Sequence, residues 1–133
     1  GALFAQGRWT RVSLGGADLV RANMSDLIGA EIDCDASQLQ MAILARAQID
    51  GLSMNRAKIE DADLNHAQLK RLCADQVIFS RSTLASATLV NASLVEADFT
   101  QTELTNTVFD GSNCANAKFD FAHLVRARFK GAR

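Results

Sequence analysis

The groups able to do chemistry in this chain of 133 residues are few and scattered. His66 and His123 are the only imidazoles, and neither lies beside a serine or threonine that it could activate as a nucleophile. Glu60, Asp61 and Asp63 form the densest carboxylate run. A metal centre needs three or four convergent ligands, and such a run is ordinarily a solvated face. Cys34, Cys73 and Cys114 could be free thiols or include a disulfide. These residues define no catalytic, cofactor or metal site, and the chain reads as non-enzymatic.

The elements that carry these groups obey a period of five. From Phe4 to Phe129, every fifth residue is a sizeable apolar group or Cys, except Gly29 and Ala74. Two positions earlier, from Ala2 to Ala132, the residues are mostly Ala, with Gly, Ser, Thr, Val, Leu and Ile for the rest. All 14 Lys and Arg and all 15 Asp and Glu fall in the other three phases. A helix advancing about 100° per residue would smear such a period around its cylinder. In a straight strand, residues five apart point to opposite faces. A chain that sets two side chains inward, bends and repeats satisfies the pattern, and stacking of such units makes a solenoid.

These units are similar to the pentapeptide-repeat family, whose repeat reads A-(D/N)-L-X-X. The nearest matches are Ala17-Asp18-Leu19-Val20-Arg21, Ala22-Asn23-Met24-Ser25-Asp26, Ala62-Asp63-Leu64-Asn65-His66 and Ala97-Asp98-Phe99-Thr100-Gln101. The resemblance runs over essentially the whole chain. It implies an all-β, right-handed quadrilateral β-helix with four pentads per coil, giving roughly six and a half coils at about 4.8 Å each. The expected lining includes Phe4, Leu19, Leu44, Leu64, Phe79, Leu84, Leu94, Phe99, Leu104, Phe109, Phe119 and Leu124. On this scheme His66 and His123 stand three coils apart, about 14 Å, too far to share a metal. Cys34 and Cys114 share a face about 19 Å apart by coil spacing. A disulfide needs Cα atoms within about 7 Å, so three free thiols are expected.

Composition bounds the rest. Without proline or a linker-like stretch, residues 1–133 read as one domain. A net charge of −1 favours neither direct nucleic-acid binding nor a strongly acidic decoy. No apolar run reaches the roughly 18 residues of a membrane helix, and Arg8 and Arg11 interrupt any secretory signal. A cytoplasmic location follows as the expectation. Opening on Gly1 and in register by Ala2, the sequence reads as a processed product or a piece of a larger protein.

Departures from the repeat look like volume exchange. Leu27 accompanies Gly29, Ile32 accompanies Cys34 and Leu72 accompanies Ala74, with a bulge expected near Gly29. Leu52 with Met54, and Val77 with Phe79, are large pairs left unexplained. By face, outward charges total +3 on the second side, where Arg8, Arg11, Lys70, Arg71, Arg128 and Lys130 outnumber Glu31, Asp50 and Asp110. Those six cations form the expected partner surface. Phe121 and Val125, both in outward phases, are the expected contacts of a C-terminal homodimer. The resulting function is a non-catalytic rod that presents a regular surface to a protein partner. Two alternatives come from the resemblance: a DNA-mimic inhibitor of gyrase, and the repeat domain of a secreted bacterial effector.

Overall fold

The computed structural model describes residues 1–133, all without helix, so no helix is present that could cross a membrane. Backbone bridges, outside the strands at most one per pentad, link residues twenty positions apart in parallel, from Leu3↔Asn23 to Val108↔Arg128. Twenty residues make four pentads, so one coil has four sides. The chain is a β-solenoid.

One pentad shows why the repeat has its composition. Phe99 and Gln101 donate their backbone N–H groups to Lys118 and Asp120 in the next coil, at 2.8 Å each. Asp98 donates to Val77 in the previous coil at 2.9 Å, and Ala97 closes the turn by donating to Leu94 at 3.1 Å. The remaining N–H, of Thr100, goes to the Asp98 carboxylate at 2.9 Å. All five donors are satisfied, and the last needs a short acceptor side chain two residues upstream. Asp18, Asn23, Asp33, Asp63 and Asn113 play the same part for their own pentads. That is the physical basis of the Asp/Asn preference.

Every fifth residue from Gln6 to Gly131 has positive φ, mostly near 57° and in most cases not glycine. Positive φ at the second central position of a turn is the mark of type II, and it bends the chain once per pentad. The following residue donates back across many of these corners, as in Ala22 to Leu19 at 2.9 Å.

Regular strand is confined to one region. Strands β1 (Arg8–Ser13), β2 (Ile28–Asp33), β3 (Gln48–Ser53) and β4 (Gln68–Lys70) form a parallel sheet in sequential order. It accounts for about three turns, fewer than the six and a half coils expected; elsewhere the same offset persists as single bridges. The difference has a steric cause. In β1–β3 pairing continues through the corner, as in Val12↔Ile32 and Ile32↔Leu52. The residues there, Val12, Ile32 and Leu52, are too bulky for the position that Ala usually fills. Leu72 continues the column past the end of β4, where pairing drops to the single bridge Ser53↔Cys73, and the column then shrinks to Ala92 and Ser112, whose turn bonds to Leu89 and Phe109 close the corner at 3.3 and 3.0 Å. Elsewhere Val77 to Ala74, at 3.4 Å, is the longest of these turn bonds. The Leu52 and Val77 pairs thus fit by widening the corner.

The bulge expected at Gly29 is absent, since Trp9↔Gly29↔Ile49 keeps the common register. Ile32 fills its vacancy: the Cδ1 atom lies 2.6 Å from where a Gly29 Cβ would stand.

Leu19, Leu44, Leu64, Phe79, Leu84, Leu94, Phe99, Leu104 and Phe109 are buried in one continuous core. Phe4 and Phe119 are only partly buried, and Leu124 is 38% exposed, a correction to the expected lining. They belong to the end coils, which have a neighbour on one side alone. Phe79, Phe99 and Phe119 stack at centroid spacings of 5.1 Å, with Phe109 and Phe129 stacked beside them at 4.7 Å. Buried hydroxyls bond to backbone rather than to each other. Thr102, Thr107 and Ser112 donate to the carbonyls of Phe79, Leu84 and Leu89, one coil back.

Candidate interaction surface

Outward side chains form axial columns, because residues twenty apart stand one above another. Charged neighbours therefore pair across coils. Arg46 grips Asp26, and Arg81 grips Asp61, each through two hydrogen bonds of 2.7–2.9 Å. Those bonds hold both carboxyls below their usual range. Such exposed pairs contribute little stability individually.

The six cations of the second side are not equivalent. Arg11 pairs with Glu31 at 3.2 Å, Arg71 with Asp50 at 2.6 Å, and Arg128 with Asp110. All three acids of that side are consumed. Arg8, Lys70 and Lys130 keep no carboxylate partner, and they are spread along the rod. The side is therefore a line of separated positive points, not a continuous basic patch.

The single concavity lies on this side. A shallow groove of about 190 Å³ runs over Gly29 and Ile49, between Ile28, Gln48 and Gln68 on one flank and Asp50 and Lys70 on the other. Sequence reasoning missed it. Its floor comes from the pairing of β2, β3 and β4.

Elsewhere the chemistry is sparse. His123 Nδ1 lies 3.0 Å from Glu103, while His66 occupies a positive-φ corner. No three metal-binding side chains converge. Ser13, Ser53 and Ser93 bond to Asp33, Asp35 and Asp75, so the third side carries an axial hydrogen-bonded ladder. Cys34 is buried, Cys114 half-buried and Cys73 exposed, all as free thiols. Burial, reinforced by Asp33 and Asp35, pushes the Cys34 thiol up to about 12. Phe121 is 82% exposed and Val125 62% exposed, with Phe129 also exposed near them in sequence.

A four-sided coil of pentads with outward polar columns defines a repeat protein of the β-solenoid class. A family model described as pentapeptide repeats matches in eight copies, over residues 62–101, 78–113 and 97–133, together more than half of the chain. The chain belongs to the pentapeptide-repeat family. Among solved structures it is similar to QnrB1, a plasmid-mediated fluoroquinolone resistance protein, in its trypsin-treated R167E form. Identity is 13% at a TM-score of 0.54, covering 99% of this chain and 89% of that one. HetL, involved in heterocyst differentiation regulation in the cyanobacterium Nostoc, is 20% identical at a TM-score of 0.46, covering 98% and 71%. No curated protein sequence matches the chain.

Proposed function

We propose that this chain is a non-catalytic protein-interaction module, a rod that offers its second side to a protein partner. The observation carrying this reading is the coincidence, on one side, of the only groove and of cations that lack internal partners. Convergent acid–base or nucleophilic groups, which catalysis would need, do not accompany it. Affinity capture from the native host tests the reading, comparing wild type with Arg8→Glu combined with Lys70→Glu. Arg71 is a poorer choice for reversal because it is tied to Asp50. Loss of a specific partner in the variant supports the surface; retention removes it.

Self-association through Phe121 and Val125 belongs to the same proposal, since both stand clear of the rod. A second reading, inhibition of DNA gyrase, draws support from the fold shared with the resistance protein QnrB1. The cation-rich second side and the net charge of −1 weigh against duplex-DNA mimicry. A supercoiling assay separates the two: unimpaired gyrase at micromolar rod removes the second reading.

A further inference from the structure

We infer that the groove over Gly29 and Ile49 receives an extended acidic segment of a partner protein, with an apolar residue between two carboxylates. The inference rests on the second side being the contact surface. Across β1–β4 and the corner residue that follows β4, that side holds Arg8, Arg11, Lys70 and Arg71 against Glu31 and Asp50. The pairs Arg11–Glu31 and Arg71–Asp50 cancel, leaving Arg8 and Lys70 as the cations outside any ion pair, Lys70 standing beside the already engaged Asp50. They lie at opposite ends of the groove's sheet, in β1 and β4, three coils apart. At about 4.8 Å per coil the rise between them is about 14 Å, and because Arg8 is in register with Gln68, two residues before Lys70, the full separation is about 16 Å. An extended chain advances about 3.3 Å per residue, so carboxylates about four to five residues apart match the two cations.

Between them the groove is amide-rich and locally apolar. Gln48 and Gln68 stand exposed side by side in the paired strands β3 and β4 and offer both donors and acceptors to a peptide backbone. Ile28, 43% exposed on the same flank, supplies a contact for a side chain between the acids. A basic segment would meet Arg8 and Lys70 with like charge, and a wholly apolar one would strip water from Gln48, Gln68 and Lys70 without replacing it. The acidic, extended occupant is the one the groove complements.

The probe is the capped peptide Glu-Ala-Leu-Ala-Glu, titrated into isotope-labelled protein at low ionic strength and followed by amide chemical shifts. Saturable shifts are expected at residues 8–10, 28–30, 48–50 and 68–70. Affinity should fall about tenfold or more for Gln-Ala-Leu-Ala-Gln and for the Arg8→Gln, Lys70→Gln protein, whose fold is checked by circular dichroism. Absence of saturation at millimolar peptide, shifts centred elsewhere, or equal affinity in either control would overturn the inference. Partner capture separates this failure from that of the underlying reading. A partner lost on Arg8→Glu with Lys70→Glu, with no peptide response, removes the acidic segment and keeps the surface. A partner that survives the reversal removes the surface.

Discussion

The terminal Cδ1 of Ile32 occupies the space that a side chain on Gly29 would need, 2.6 Å from its would-be Cβ. Both residues belong to β2, and one is small because the other reaches across. Gly29→Ala should therefore force the Ile32 terminus off its rotamer and destabilise the protein by about 0.5–1.5 kcal/mol. Ile32→Val removes the offending methyl, so in the double mutant the Gly29→Ala penalty should shrink. Denaturant unfolding of the four-member cycle measures the coupling; additive penalties would refute the contact.

Ser82 replaces a missing backbone bond. Its hydroxyl donates to the Ile59 carbonyl at 2.6 Å and accepts the Ala62 N–H at 3.0 Å, stitching a corner one coil away. Ser82→Ala leaves both groups buried without that partner, and a loss of about 1–3 kcal/mol is expected from urea denaturation. Ser37→Ala should cost less, because the Ser37 N–H already bonds to the same Cys34 carbonyl that its hydroxyl contacts.

Thiol reactivity should be graded by position in the coil. Cys73 is exposed and should react first with a disulfide reagent under native conditions. Cys34, buried and with its thiol raised to about 12, should stay unmodified until unfolding. Cys114, half-buried and raised by burial, should fall between them. Mass spectrometry of timed aliquots reads the order, and early labelling of Cys34 would contradict the packing.

Acid stability should depend on the corner ion pairs. The hydrogen bonds from Arg46 and Arg81 lower the folded pKa values of Asp26 and Asp61 below their ordinary 3.8. A depressed carboxyl contributes stability above its unfolded pKa and loses it as pH falls toward the folded one. The thermal midpoint should thus decline below about pH 4. Arg46→Gln with Arg81→Gln should flatten that decline while leaving the alkaline side unchanged, as thermal melts across the pH series would show.

Sedimentation tests the proposed self-association. Wild type should show a concentration-dependent dimer, and Phe121→Ser with Val125→Ser should disperse it while circular dichroism stays unchanged. A strict monomer at high concentration, or a dimer indifferent to both changes, removes Phe121 and Val125 as contacts.

The lining was legible in sequence because each inward position repeats the same demand for a small residue and a larger apolar one. Leu64, Phe79 and Phe99 illustrate this, each fully buried. Corner geometry was not legible. Ile32 looked like an adjustment to its own pentad and Leu52 was unexplained, whereas the two lie in one column and pair with each other around the corner. Face charge was legible only as a sum. Adding up Arg11, Arg71 and their neighbours hides which cations have a carboxylate twenty or so residues away, and therefore which remain free to meet a partner. The groove's floor comes from the pairing of β2, β3 and β4, so it could not be read from the repeat.

The constant offset between paired residues makes this rod unusual in how it tolerates changes of length. Adding or removing one whole pentad would leave inside and outside undisturbed, yet swing everything beyond it through a quarter turn. Only a gain or loss of four pentads restores the alignment of distant outward groups. Arg8 and Lys70, which face the same way, would therefore be set at right angles by duplication of a single five-residue unit between them.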